Sequence, residues 1–286
     1  MSGIITLTTD WGYGDPCAAI FRANVWRLRP DTVVTDISHQ VCNSSRLHAG
    51  YLLSSACWFF PEGTVHVVDV REISTMQFAR IANRERPLPF LDFLGVRCNG
   101  HFFLMENNGI LSLVDPDFAH VEEVVKLRRH PDFEQYYTFN ALAYYAYASA
   151  MLASGSRLSE LGEVYGEDEL ERLSLPGVIR TENRLEGRVQ HIDARGNLIT
   201  DIRREDWAAV AAGRKKVSVQ VEGSLECLED VRLYNHYLQI GDGICFALFN
   251  TSGFLEIGQK NVSLAAMLYG IEDVVSGIGD VVTLRF

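Results

Sequence analysis

The first 70 residues alternate β-rich and helical runs, and that alternation constrains the fold more than any other feature of the chain. Ile4–Thr8 is β-rich. Asp15-Pro16 opens a helix that runs to about Leu28, with Asp15 as its N-cap and Pro16 at the first helical position. Thr32–Asp36 reads as a second strand. A second helix follows Ser44-Ser45 and runs to Phe59, before the break at Pro61-Glu62-Gly63. Thr64–Val70 is a third strand. Strand, helix, strand, helix, strand predicts a mainly parallel sheet with helices on its faces.

Two more strands, Phe93–Val96 and Phe102–Met105, flank Asn99-Gly100, a hairpin signal. Phe139–Ala153 reads as a helix ending at Gly155, and Leu158–Leu161 as a short helical piece. Glu163–Glu171 is acidic and reads as a solvated linker face, and Pro176-Gly177 then breaks the chain. Beyond it come short strands: Arg184–Ile192, Asn197–Ile202, Lys216–Val221, Ile244–Phe249 and Val281–Leu284. The expected architecture is an N-terminal α/β domain over residues 1–170 and a smaller all-β, barrel-like domain over residues 181–286.

With 47% hydrophobic and 22% charged residues the chain can fill two cores, so wholesale disorder is excluded. A net charge of −11 repels phosphate backbones, which argues against nucleic acid and anionic membrane as partners and favours a cationic ligand. No apolar run spans a bilayer, and MSGIITLTTD has neither a basic nor an apolar signal region. The six cysteines form no C-x-x-C pair and read as reduced, buried packing residues of a cytoplasmic protein, with no metal site.

The turn Asp10-Trp11-Gly12-Tyr13-Gly14-Asp15 half-resembles a dinucleotide fingerprint, but Cys17 stands where the third glycine belongs. Two carboxylates at that helix start would repel a pyrophosphate. The turn suits hydroxyls, such as a ribose diol, and ammonium groups. Its plain reading is that Asp15 caps a helix and Asp10 ends a strand. Asp193 and Asn197 flank a tight turn at Gly196, whose plain reading is a hairpin with side-chain caps. Asn250-Thr251-Ser252-Gly253 is another turn, opening a strand.

Six segments in this order resemble the S-adenosyl-L-methionine (SAM) hydroxide adenosyltransferases, relatives of the SAM-dependent fluorinase and chlorinase. They are Ile4 to Gly12, Val34 to His39, Phe60 to Asp69, Asn107 to Leu111, Ile192 to Thr200, and Asn250 to Ile257. The resemblance implies an N-terminal α/β domain, a C-terminal β-barrel, and a homotrimer. Ligand would lie between the N-terminal domain of one subunit and the C-terminal domain of its neighbour. It further implies attack of a nucleophile at C5′ of SAM with loss of methionine, and no cofactor. Hydroxide yields adenosine. Carried over residue by residue, Asp10, in the turn it shares with Trp11, matches the carboxylate that grips the ribose diol. Asp15 and Asp193 match those near the methionine ammonium, and Asn197 a residue contacting adenine. Thr251 and Ser252 fall in the ligand-contacting C-terminal turn. Tyr234 or Tyr237 would stack on the base.

The hydrolytic members activate water with an Asp-Arg-His set. Asp69 is present here, but the position seven residues on is Met76, leaving Arg71 or Arg80 as substitutes, and the histidine position is Asn140. Ser44 falls where relatives place an aromatic, and Glu106-Asn107-Asn108-Gly109 replaces Pro-Asp-Asn-Gly. Asn140 cannot accept a proton near neutral pH, and a missing base costs ~10²–10⁴ in rate. The expectation is therefore a SAM-binding protein that is a poor hydrolase, with a silent binder of SAM or adenosine as the alternative. A trimeric structural protein with a closed pocket is a third reading. His39, His48 and His66 remain as replacements for the missing base, against the plainer reading of each as a surface or packing histidine. Tyr136, Tyr137, Phe139, Tyr144, Tyr145 and Tyr147 read as core and subunit-interface packing.

Overall fold

The structure, a computed structural model, describes residues 3–42, 45–70, 92–133, 139–224, 227–270 and 277–286. Ser44, Arg71, Met76, Arg80, Tyr136 and Tyr137 lie outside the described residues. The chain divides into two units, Met1–Leu173 and Ser174–Phe286.

In the first unit, β1 (Ile4–Thr9), α1 (Cys17–Leu28), β2 (Val33–Ser38), α2 (Arg46–Ala56) and β3 (Val65–Asp69) realise the alternating pattern. β4 (Phe93–Cys98) and β5 (His101–Glu106) form the hairpin, where Asn99 and Gly100 both take positive φ. β6 (Val121–Leu127) and β7 (Gly162–Val164) extend the edge. The sheet order is β2-β1-β3-β5-β4-β6-β7. β2, β1, β3 and β5 run parallel, α1 and α2 returning the chain to the same end for the first three; β4, β6 and β7 add on antiparallel. The central strands are buried on both faces, so Ile5, Leu7, Val65 and Val67 pack against Phe21 and Val25 of α1, while Val68 and Met105 meet Leu53 of α2.

The α1 start departs from the expected cap. Pro16 occupies the N-cap position in helical geometry and no side chain caps the helix. The helix begins at Cys17, one residue later than expected, which leaves Asp15 outside it and exposed. α2 starts as expected, Ser45 accepting the His48 N–H at 3.3 Å. After the short α3 (Leu111–Val114), the predicted helix at 139–153 contains a π-helical stretch, Leu142–Ala146, before α4 (Tyr147–Ala153). The Ala143 carbonyl accepts the His130 backbone N–H at 2.9 Å rather than serving only its own helix. Tyr145 is fully buried, and Phe139, Tyr144 and Tyr147 pack against the same core.

The acidic segment is more than a linker. Asn107 donates to the Tyr165 hydroxyl (3.1 Å) and the Glu169 carbonyl (3.0 Å) and accepts the Glu171 N–H (2.8 Å), so this run is tied to the end of β5. No cysteine is in a disulfide, but only Cys57 and Cys98 are buried; Cys17, Cys42 and Cys245 are half-buried and Cys227 is exposed, on the outer face of a strand.

The second unit is a closed seven-stranded barrel. Its strands are β9 (Arg184–Ile192), β10 (Leu198–Arg203), β11 (Lys216–Val221), β12 (Cys227–Leu233), β13 (Cys245–Phe249), β14 (Phe254–Gln259) and β15 (Val281–Arg285), with β8 (Ile179–Thr181) added outside β9. The pairing β10–β9 closes the order β10-β14-β13-β12-β11-β15-β9. Closure removes the open sheet edges that a small all-β unit would otherwise expose. Alternate residues point inward, so Val217, Val219 and Val221 of β11 are buried in one core with Leu255 and Ile257 of β14. α5 (Arg204–Ala211) and α6 (Leu264–Tyr269) pack on this core through Trp207, Val210 and Leu264.

Candidate functional site

The strand order places a topological switch point in the first unit. From β1 the chain crosses to β2 on one side, then returns over β1 to β3 on the other. Ligands of open α/β sheets bind outside the carboxyl ends of strands at such a point, because the two crossovers diverge and leave a crevice. Asp10 follows β1 here, and Asp69 ends β3 as the register partner of Thr9. The Asp10 N–H donates to the Asp69 carbonyl at 3.4 Å. The Trp11 indole Nε1–H donates to Asp69 Oδ2 at 2.6 Å, a charge-assisted bond that fixes the carboxylate.

Asp15 stands at the entry to α1, close enough with Asp69 to act on Cys17. Burial, then Asp15, then Asp69, push the Cys17 thiol upward, so a helix N-terminus that ordinarily acidifies a thiol holds a neutral one here. Asp15 and Asp69 both act on Cys17 and Asp10 is joined to Asp69 through its backbone, so this strand end is negative beside an indole. It suits paired hydroxyls and a cation. Phe139 packs edge-on against Trp11, with centroids 5.0 Å apart, which brings the start of the helix carrying Asn140 beside this turn. Asn140 is half-buried.

The three candidate histidines separate. His48 is buried, its Nδ1 accepting the Cys42 N–H at 3.1 Å. His66 is buried between Thr6 Oγ1 (2.7 Å) and His101 Nδ1 (3.1 Å), and burial pushes it down to about 3. Both are packing residues. His39 is only 1% exposed but belongs to the site, stacked on the Trp11 indole with centroids 5.6 Å apart and planes 13° apart.

In the second unit, the turn after β9 is built by Asp193. Its Oδ1 accepts the N–H groups of Arg195 (2.9 Å) and Asn197 (2.8 Å), and its Oδ2 accepts from Asn197 Nδ2 (3.1 Å). Gly196 has φ +80°, and a Cβ there would strike Ser263. Asn197 spends its other amide proton on Glu256 Oε1 at 2.9 Å, and the Tyr237 hydroxyl donates to the same oxygen. Burial raises Glu256, opposed by these two donors.

Beside this network lies a cavity of about 470 Å³, in the range of small-molecule sites. Asn197, Tyr237, Phe246, Gln259 and Lys260 line it. Tyr237 and Phe246 meet at 82° with centroids 5.7 Å apart, giving the cavity an aromatic wall. Of the two candidate aromatics, the wall is Tyr237, while Tyr234 packs behind it.

Thr251 and Ser252 lie elsewhere. They occupy the closed end of the β13–β14 hairpin, where Phe249 pairs Leu255, whereas the cavity is at the open end, where Cys245 pairs Gln259. The Ser252 N–H bonds Asn250 Oδ1 (3.0 Å) and its carbonyl accepts from Arg203 (3.1 Å). Sequence reasoning missed Glu256. Its signal was a lone carboxylate in the apolar strand Phe254-Leu255-Glu256-Ile257. His39 is a packing histidine, one of the readings the sequence offered, and its neighbours Asp36 and Thr9 come from two strands.

Models of the SAM hydroxide adenosyltransferase N-terminal and C-terminal domains match residues 5–162 and 187–273. The (R)-S-adenosyl-L-methionine hydrolase of Methanocaldococcus jannaschii is 24% identical over 266 residues, covering 90% of this chain and 88% of that protein. A fluorinase from an Actinoplanes species is 26% identical over 278 residues, 92% of each. Among solved structures, an uncharacterized conserved protein from Thermotoga maritima superposes with a TM-score of 0.80 at 20% identity, over 99% of this chain and 100% of that one. A conserved hypothetical protein from Thermus thermophilus gives 0.67 at 22%, over 98% of each. The two domain matches together span most of the chain, in the order in which its two units occur, and the chain belongs to the SAM hydroxide adenosyltransferase family.

Proposed function

We propose that this protein binds SAM and hydrolyses it slowly to adenosine and L-methionine. The observation that carries the reading is the joining of Asp10 and Asp69 at the switch point, with the Trp11 N–H fixing Asp69. In this reading Asp10 holds the ribose diol, and Asp15 attracts the methionine ammonium together with Asp193 from the second unit of a neighbouring subunit. The cavity walled by Tyr237 and Phe246, next to Asn197, receives the adenine, with Thr251 and Ser252 as outlying contacts. Water attacks C5′, the C5′–S bond breaks, and its electron pair neutralises the sulfonium to the thioether of methionine. The leaving group needs no acid. The water's proton passes to Asp69 and on to solvent. The protein supplies position, a water-poor site and one carboxylate. SAM carries its own leaving group, so the reading requires no cofactor.

Asn140, standing where the hydrolytic members carry histidine, favours a second reading in which SAM or adenosine is held without turnover. Incubation of purified protein with SAM, followed by chromatography for adenosine, separates the two. Adenosine above the no-enzyme control supports hydrolysis; none over hours removes it. Calorimetry with SAM and adenosine tests binding, and Asp10→Ala is expected to abolish it. Unchanged affinity in that variant overturns the pocket assignment. We further propose a homotrimer in the cytoplasm, checked by light scattering and cell fractionation. No described helix is long and apolar enough to cross a membrane.

A further inference from the structure

His39 is the best-anchored side chain near the site. Its Nδ1 lies 2.7 Å from Thr9 Oγ1 and its Nε2 3.0 Å from Asp36 Oδ1. Asp36 is in turn paired with Arg22 of α1. Thr9 Oγ1 also accepts the Trp11 backbone N–H at 3.4 Å. The Asp36 carboxylate beside Nε2 can only accept, so a neutral imidazole carries its proton on Nε2 and its Nδ1 accepts the hydroxyl proton of Thr9. A neutral ring fits the Thr9 hydroxyl at Nδ1 and leaves Nε2 at ion-pair distance from Asp36. Burial favours that form and Asp36 opposes it, with burial prevailing.

The order hydroxyl, imidazole, carboxylate is that of an activated nucleophile with its base and orienter. Burial rules out that use. Thr9 is fully buried and His39 1% exposed, and the Trp11 indole covers the ring, so no substrate atom reaches either. What the chain can do is hold. The ring is hydrogen-bonded at Nδ1 and lies at ion-pair distance from Asp36 at Nε2, the His39 carbonyl accepts the Gly12 N–H at 2.7 Å, and the ring face supports the indole. The indole then delivers its N–H to Asp69.

We propose that His39 is a positioning residue that acts through Trp11: the clamp Asp36–His39–Thr9 sets the indole plane, and with it the orientation of the Asp69 carboxylate toward the attacking water. The inference rests on the hydrolytic reading above for its catalytic consequence, but not for its geometry.

The test uses the full-length protein labelled with ¹⁵N at tryptophan. The chain has four tryptophans, so four indole N–H signals are expected, and Trp11→Phe identifies one. His39→Leu is expected to shift the Trp11 signal away from its strongly hydrogen-bonded position while the other three stay. His39→Gln, which keeps a donor toward Asp36, is expected to restore part of the shift. If the Trp11 signal is unmoved in folded His39→Leu, the proposal is wrong. If His39→Leu does not fold, Thr9→Val must produce the shift, and an unmoved signal there refutes the proposal equally. With SAM, His39→Leu or Thr9→Val is expected to lower kcat roughly tenfold to a hundredfold with little change in KM, the range for a displaced reacting group. The indole signal is read without ligand. Absent turnover in the wild type sinks the hydrolytic reading alone, and an unmoved indole signal sinks the clamp alone.

Discussion

Replacing Tyr237 in two ways separates the cavity's wall from its hydrogen-bond network. Tyr237→Phe keeps the ring that meets Phe246 but removes the donor to Glu256. Glu256 is 4% exposed and would keep only the Asn197 amide at 2.9 Å. Losing one donor to a buried carboxylate costs about 1–3 kcal/mol. The charge of Arg195, which favours the Glu256 carboxylate, stays in place, so the lower half of that range is expected. Tyr237→Ala removes the wall as well. Stacking of a base on an aromatic is worth ~1–3 kcal/mol, or roughly fivefold to 150-fold in Kd. Calorimetry with adenosine and urea denaturation read the two quantities independently. Tyr237→Phe should lose stability with Kd nearly unchanged, and Tyr237→Ala should lose at least roughly fivefold in affinity. Wild-type affinity in Tyr237→Ala would refute the cavity as the base site. A loss of binding in Tyr237→Phe at full stability would make the hydroxyl, not the ring, the contact.

Gly258→Ala should weaken adenosine binding and destabilise the barrel by about 1–3 kcal/mol, since a Cβ there would overlap Asn197 and approach Phe246 at 2.6 Å; thermal unfolding with and without adenosine checks this. Asp201→Asn tests a buried charge in β10. Burial raises Asp201 from 3.8 to about 6. The native state therefore binds more protons than the unfolded chain between those values, and stability falls as pH rises through that window, by up to ~3 kcal/mol. The carboxylate accepts the Arg188 N–H at 2.7 Å, and the amide oxygen of the variant would still accept it. Asp201→Asn should therefore match the wild type near pH 4 and exceed it at pH 7.5 in urea titrations; a wild type with no pH slope in that window refutes it. Asn140→His should raise adenosine formation from SAM by tenfold or more if the helix beside Trp11 presents position 140 to the water, and an unchanged rate places the missing base elsewhere.

The chain's own pattern determined the architecture. Period-two and helical runs, with breaks at Pro61-Glu62-Gly63 and Asn99-Gly100, specify which segments pair and which cross over, because those preferences are local. Asp69 was named through the family resemblance and Asp10 from its turn after the first strand; that the two meet is a matter of parallel pairing, Asp69 standing in register with Thr9. The start of α1 was misread by one position because Asp and Pro are both good helix openers, and only backbone geometry decides between them. The roles of His39 and Glu256 were not legible at all. His39 is defined by Thr9, Asp36 and Trp11, and Glu256 by Asn197 and Tyr237, 59 and 19 residues away. Burial turns an ordinary histidine into a clamp and an ordinary glutamate into a hydrogen-bonded hub, and burial is a property of packing between strands distant in sequence. Tertiary structure alone decided which polar side chains lost water and which partners replaced it.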